Sequence, residues 1–380
     1  MTKKDACNSN CAPRLLLIGS ATLALLTFSM VAALATYHLW PKPAAPVPYE
    51  AGGAPTEAQI KNLCGWSGQQ SAADAWEQLK GHFPEFKIIR KVGAAPVRDD
   101  KRVVLWDAAK AVNGGRHLPT FRQEVGDCVS MGAANACNYL LCVQIITSRG
   151  PPQEYHPSFP PFIYGISRVQ IGGGGLGGDG SNGVWAARGL QQYGTLPADA
   201  KGVPPYSGSV ARAWGRRPGP PAEFLPIAAK NLVKTAAKVT RWEDARDALV
   251  NGYPVTIASN VGFAMRPDNA AKKLYGVPSG SWAHQMCLIG YDPAPEPSFY
   301  VINSWGENAH GAPLDDAPPG GFWIKSSACQ RVVAQGDSFA LSEQIGFPAR
   351  EWNLDLIRQA KARVDDARPV AESSPFQLAP

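Results

Sequence analysis

The chain predicts an α+β fold of two lobes, a helical first lobe and an antiparallel, barrel-like β second lobe with a cleft between them. Two observations carry this. In the first half, residues 128–146 form one apolar, alanine-rich stretch that has no proline and a single glycine, Gly132; it reads as a buried helix. In the second half, short runs at 254–259, 285–291, 299–303 and 321–325 carry β-branched and aromatic residues between turn formers and read as strands. Helices gathered in one half and strands in the other indicate α+β rather than alternating βα units. A hydrophobic content of 45%, with eleven tryptophans, supplies enough apolar surface for a sizeable core.

In chain order, Lys3, Lys4 and Arg14 precede residues 15–37, which contain no charged side chain. A bilayer needs about 20 apolar residues, so this run suffices as a transmembrane signal-anchor. Basic residues on its N-terminal side place residues 1–14 in the cytoplasm and the rest of the chain outside it. The alternative is a cleaved signal peptide with Ala33-Leu34-Ala35 as the cleavage site, although such apolar cores usually run about 7–15 residues. Residues 38–56, with Pro41, Pro43, Pro46, Pro48 and Pro55, read as a semi-extended linker. Residues 57–115 form an N-terminal segment, with a helix near Ser71–Lys80 and a short strand at Lys101–Trp106; it is either an extension of the first lobe or a pro-segment over the cleft.

The long helix starts at or near Cys128. A proline-rich crossing at 151–161 and a glycine-rich loop at 172–183 follow, then a helix from Val184 to Tyr193 that Ser181 or Asn182 is placed to cap. A helix at Trp242–Asn251 closed by Gly252 leads into the strands. Residues 346–380 read as a weak helix and then a polar tail.

The net charge of +6 is spread along the chain with no dense basic run, so no nucleic-acid partner is expected. Gly173, Gly175 and Gly178 spell a formal dinucleotide pattern without the strand before it or the acid after it, so no nucleotide is expected either. His, Cys and Asp residues nowhere show metal-ligand spacing, and no cofactor is expected. Cys7 and Cys11 precede the apolar run. Cys64, Cys128, Cys137, Cys142, Cys287 and Cys329 follow it, and reserving Cys128 leaves an odd number to pair. Cys137 and Cys142 sit about 140° apart around one helix, which speaks against a bridge between them and leaves them as core residues or partners for other segments.

Three separated segments carry the chemistry: Gln123-Glu124-Val125-Gly126-Asp127-Cys128, Ala283-His284-Gln285-Met286 and Asn303-Ser304-Trp305-Gly306. A thiol becomes a useful nucleophile when a helix N-terminus stabilises its anion and a histidine takes its proton. Cys128 has the first device, and His284, opening a strand, is the candidate for the second. The amide oxygen of Asn303 can accept the ring N–H and orient His284, with Trp305 covering that bond. The side-chain amide of Gln123 and the N–H of Cys128 can stabilise an oxyanion. His38, His82, His117, His156 and His310 read as surface or loop residues.

Glutamine, cysteine at a helix start, histidine on a strand and Asn-Ser-Trp-Gly together resemble the papain-like cysteine peptidase family, across roughly residues 116–345. The resemblance implies a two-lobe papain-like fold and hydrolysis of peptide or protein substrates through an acyl-enzyme. It also implies that Gly180, Ser181, Asn182 and Gly183 pair with substrate backbone and that Trp305 lies in the substrate site. Leu249–Val255 and Gly321–Lys325 resemble further family segments. The chain departs from the family at Val129, where tryptophan is usual, and at Val125, where a cysteine is usual. Gln123 stands five rather than six residues before Cys128, and Asp127 sets a carboxylate beside the thiol. Two other readings use the same residues: a peptide-binding module with little or no catalysis, and an acyl transferase or ligase working through the thioester.

Overall fold

The computed structural model describes residues 55–90, 100–148 and 154–350. The predicted anchor at 15–37, nearly all of the linker and the tail beyond Arg350 lie outside the described residues. Helices of the first half are α1 (Glu57–Leu63), α2 (Gln69–Leu79), α3 (Trp106–Val112), α4 (Cys128–Thr147), α5 (Pro160–Gly165), α6 (Gly183–Tyr193) and α7 (Gly208–Trp214). Helices α8 (Trp242–Val250) and α9 (Ser326–Val333) belong to the second half. The strands are β1 (Ile88–Ile89), β2 (Val103–Val104), β3 (Thr235–Lys238), β4 (Val255–Asp268), β5 (Lys273–Asp292), β6 (Ser298–Ile302), β7 (Gly321–Lys325), β8 (Phe339–Ser342) and β9 (Phe347–Pro348).

The α+β expectation holds. Seven strands form one sheet in the order β3-β8-β4-β5-β6-β7, with β2 paired to β5, and β1 pairs separately with β9. The sheet curls, because β5 meets β6 at its C-terminal end and β7 at Tyr275, opposite Trp323. It does not close: β3 and β7 stand at opposite ends of the strand order, so a barrel is not formed among the described residues. The runs read as separate strands at 254–259 and 285–291 are the two ends of one long β4–β5 hairpin. The predicted strand at Lys101–Trp106 shrinks to β2, and Trp106 turns into α3, where it packs edge-on against Tyr300 and Trp323.

Helix α1 is started by a capping box in which Thr56 Oγ1 accepts the Gln59 N–H and Gln59 Oε1 accepts the Thr56 N–H. Helix α4 is long and apolar enough to cross a bilayer, yet it is buried within the protein as the core helix. It packs on β5 at Gly132, where an added Cβ would stand 3.1 Å from both Gln285 Cγ and the Met286 carbonyl oxygen. That close approach sets the helix start against the strand carrying His284. The glycine-rich loop is gathered by the buried Arg168, whose guanidinium donates to the carbonyls of Gly215, Leu176, Gly178 and Gly180. All six described cysteines are free.

Candidate active site

Cys128 is the first residue of α4, so its side chain stands beside the unpaired N–H groups of a helix N-terminus. The Nε2 amide of Gln285 donates to the Val129 carbonyl at 2.8 Å and pins this first turn to β5. His284 therefore comes beside the start of the thiol's helix, from the middle of β5 opposite Ser259 rather than from a strand opening.

The imidazole is held on one side. His284 Nε2 donates to Asn303 Oδ1 at 2.7 Å, which leaves the lone pair on Nδ1; that atom has no hydrogen-bond partner among the described residues. Asn303 Oδ1 also accepts the Ser304 N–H, and its Nδ2 donates to His310 Nε2 at 2.9 Å. These bonds fix which way the amide faces. The Trp305 ring lies 4.6 Å from the imidazole, centre to centre, and keeps water from the His284–Asn303 bond. His310, read from sequence as a surface or loop residue, is buried behind Asn303.

Gln123 reaches this group because residues 121–123 run beside 304–306: the Gln123 N–H donates to Ser304 O, and the Gly306 N–H to Phe121 O. Ser304 Oγ donates to Gln123 Oε1 at 2.6 Å, turning the Nε2 amide toward the carbonyls of Leu63 (2.7 Å) and Val125 (2.8 Å). The one-residue shorter spacing to Cys128 thus still delivers the amide beside the Asn303 segment.

Residues 63–67 lie across these groups. The Gly65 N–H donates to Cys128 Sγ at 3.3 Å, and the Trp66 N–H to Ala283 O at 2.9 Å. Gly65 O accepts the Ser181 N–H at 2.8 Å, and the Ser67 N–H donates to Ser181 O at 3.0 Å. Ser181 is thus engaged on both its backbone groups, by the chain's own segment. Gly180 donates its N–H to Tyr164 Oη, and Asn182 donates its side-chain amide to Ser71 Oγ. Neither Ser181 nor Asn182 caps α6 with its side chain; Asp337 does so instead, accepting the N–H groups of Gly183 and Val184 at 2.7 and 2.8 Å.

Under this strap Cys128 and His284 are both buried. Burial pushes the thiol up to about 12, although the backbone N–H groups of Gln285 and Gly65 pull the other way. Burial also takes His284 down to about 4, against the opposing pull of its bond to Asn303. The closed site therefore holds a neutral thiol and a neutral imidazole. Asp127 does not oppose a thiolate in the expected way. Burial lifts its carboxyl to about 8, so it is protonated at neutral pH, and Oδ2 accepts the Tyr206 hydroxyl. Gln285, His310, Asp337 and the strap carried no signal in the sequence, because each acts through contacts with distant segments.

No family model and no curated protein matches the chain. Among solved structures it is similar to xylellain, a cysteine protease from Xylella fastidiosa, at 15% identity over 76% of this chain and 99% of that one, with a TM-score of 0.47. It is similar to digestive procathepsin L 3 of the Tenebrio molitor larval midgut, at 15% identity over 74% and 77% of the two chains and a TM-score of 0.45. It is also similar to proCathepsin B S9 from Trypanosoma congolense, at 15% identity over 83% and 96% and a TM-score of 0.47.

Proposed function

We propose that the chain is a papain-like cysteine peptidase whose cleft is closed by its own residues 63–67. One observation carries the reading. The His284 ring, with Nε2–H bonded to Asn303 and Nδ1 unpartnered, shares a site with a thiol at a helix start, and an extended peptide segment lies over both. The pro-segment reading of residues 57–115 is thereby favoured for its first part.

When the strap leaves, water reaches the pair and the burial that held both groups neutral is relieved. Cys128 then gives its proton to His284 Nδ1, and the thiolate attacks the substrate carbonyl carbon. The oxyanion takes the Cys128 N–H and the Gln123 Nε2–H that Leu63 O now holds. His284 protonates the leaving amine, and the acyl-enzyme is cleared by a water that His284 deprotonates. Asn303 holds the ring in the required tautomer throughout.

Casein hydrolysis by the full chain, beside Cys128→Ala and His284→Ala, tests this. Both variants are expected to lose turnover while keeping the wild-type unfolding midpoint within a few degrees; hydrolysis unchanged in Cys128→Ala ends the proposal. The binding-module reading is favoured by one observation, that both N–H groups of Gln123 Nε2 are occupied by backbone carbonyls. Iodoacetamide labelling of Cys128 in the Gly65→Ala chain, where a Cβ would displace the strap, separates the two: a working pair labels well below pH 7, whereas an ordinary thiol labels only near pH 8.5. From the sequence we propose further that residues 15–37 anchor the protein with its catalytic part outside the cytoplasm. Retention in the membrane after alkaline carbonate washing, lost on deleting residues 1–40, is the expected result.

A further inference from the structure

The strap shows more than closure, because its one large buried side chain, Trp66, fills a side-chain pocket beside His284. Trp66 follows the residue whose N–H rests on Cys128 Sγ, and its own N–H is held by Ala283 O beside His284. The bonds of Gly65 and Ser67 to Ser181 keep this stretch extended. The Trp66 side chain is 4% exposed, and its indole N–H donates to Asp337 Oδ2 at 2.8 Å. Asp337 is fully buried and already accepts two N–H groups from the start of α6. A helix N-terminus stabilises a carboxylate, and Lys238 adds positive charge nearby. Burial raises the Asp337 carboxyl above its ordinary value, against the opposing pull of the Trp66, Gly183 and Val184 donors and of Lys238, and Oδ2 faces the pocket as an acceptor.

We propose, resting on the peptidase reading above, that Asp337 is a specificity-determining residue of the cleft. It selects peptides that bring a flat side chain ending in an N–H donor, tryptophan or arginine, into the place Trp66 occupies. A phenylalanine or leucine there fills the pocket but leaves a buried carboxylate lone pair unanswered. Sites built around a hydrogen bond reject analogues that lack it by about tenfold or much more.

The test uses the full chain carrying Trp66→Ala, which vacates the pocket. Fluorogenic peptides that differ only at one scanned position are offered with Trp, Arg, Phe or Leu. The Trp and Arg peptides are expected to be cut with kcat/KM about tenfold or more above the others, the gain lying in KM. Adding Asp337→Asn is expected to bring that ratio close to one. Phe or Leu peptides cut as well as Trp and Arg, or a ratio that survives Asp337→Asn, overturns the proposal. If no peptide is cut, the peptidase reading fails on its own. The same peptides are then ranked by protection of Cys128 against iodoacetamide, where equal protection by the Phe peptide overturns the inference. Because Asp337 caps α6, Asp337→Asn can disturb folding, so Trp66→Phe in the otherwise native chain is a second measure. It keeps the ring and removes only the N–H, and is expected to speed Cys128 alkylation about tenfold; an unchanged rate overturns the proposal.

Discussion

Asn303 ties three residues of the site together: its oxygen accepts from His284 and Ser304, and its nitrogen donates to His310. Asn303→Ala is expected to leave two buried imidazoles unpaired and to cost about 1–3 kcal/mol in urea unfolding. On the proposed peptidase reading, casein hydrolysis should fall by tenfold or more, because the ring is no longer held in its tautomer. The sequence singled out Cys128, His284 and Asn303 through the local motifs around each, and the fold brings the His284 ring onto the Asn303 amide. His310 was not singled out, since only the folding of the Gly306–Gly311 stretch brings it behind Asn303. Gln123 was legible as a donor, yet its bond to the carbonyl of Leu63, sixty positions earlier, was not.

Among the elements, the strap depends on glycine at one point. A Cβ on Gly65 would stand 1.8 Å from the Gly126 carbonyl oxygen, so one of the two backbones has to move away. Gly65→Ala is therefore expected to lift residues 63–67 from the thiol and to raise Cys128 alkylation about tenfold or more, with a smaller effect on global unfolding. Wild-type labelling in this variant would show that the strap does not govern access. The β4–β5 hairpin teaches the opposite lesson about legibility. Its ends follow strand patterns, but Gly262, Pro267, Gly276, Pro278 and Gly280 interrupt the middle, and the register shifts between Ser259 and Phe263 break the alternation. Local pattern therefore found two short strands where tertiary pairing makes one long ribbon.

For the whole molecule, helices in the first half and strands in the second were readable because residue type and periodicity report them directly. Barrel closure was not readable, since it depends on which strand edges meet. Burial couples the site to pH. His310 is taken from its ordinary value of 6.5 down to about 3 by burial, with nearby His284 adding to the effect. A lowered histidine contributes stability that is fully present above pH 6.5 and is lost as pH falls toward the folded value. Urea unfolding of wild type minus His310→Gln should therefore shrink by about 1.4 kcal/mol per pH unit from pH 6.5 to 4. Asp127, raised from 3.8 to about 8 by burial, has the reverse sign. Its contribution is whole below about pH 4 and fades as pH rises toward 8, so the margin of wild type over Asp127→Asn should narrow over that range. The covalent tie between strap and cleft has a last consequence. A segment joined to its own binding site competes at an effective concentration of about millimolar, whatever the protein concentration. Dilution leaves the occupancy of the cleft unchanged, and a free peptide must bind far more tightly than millimolar to displace residues 63–67. Cutting the chain after the strap would turn that fixed concentration into an ordinary, dilutable one.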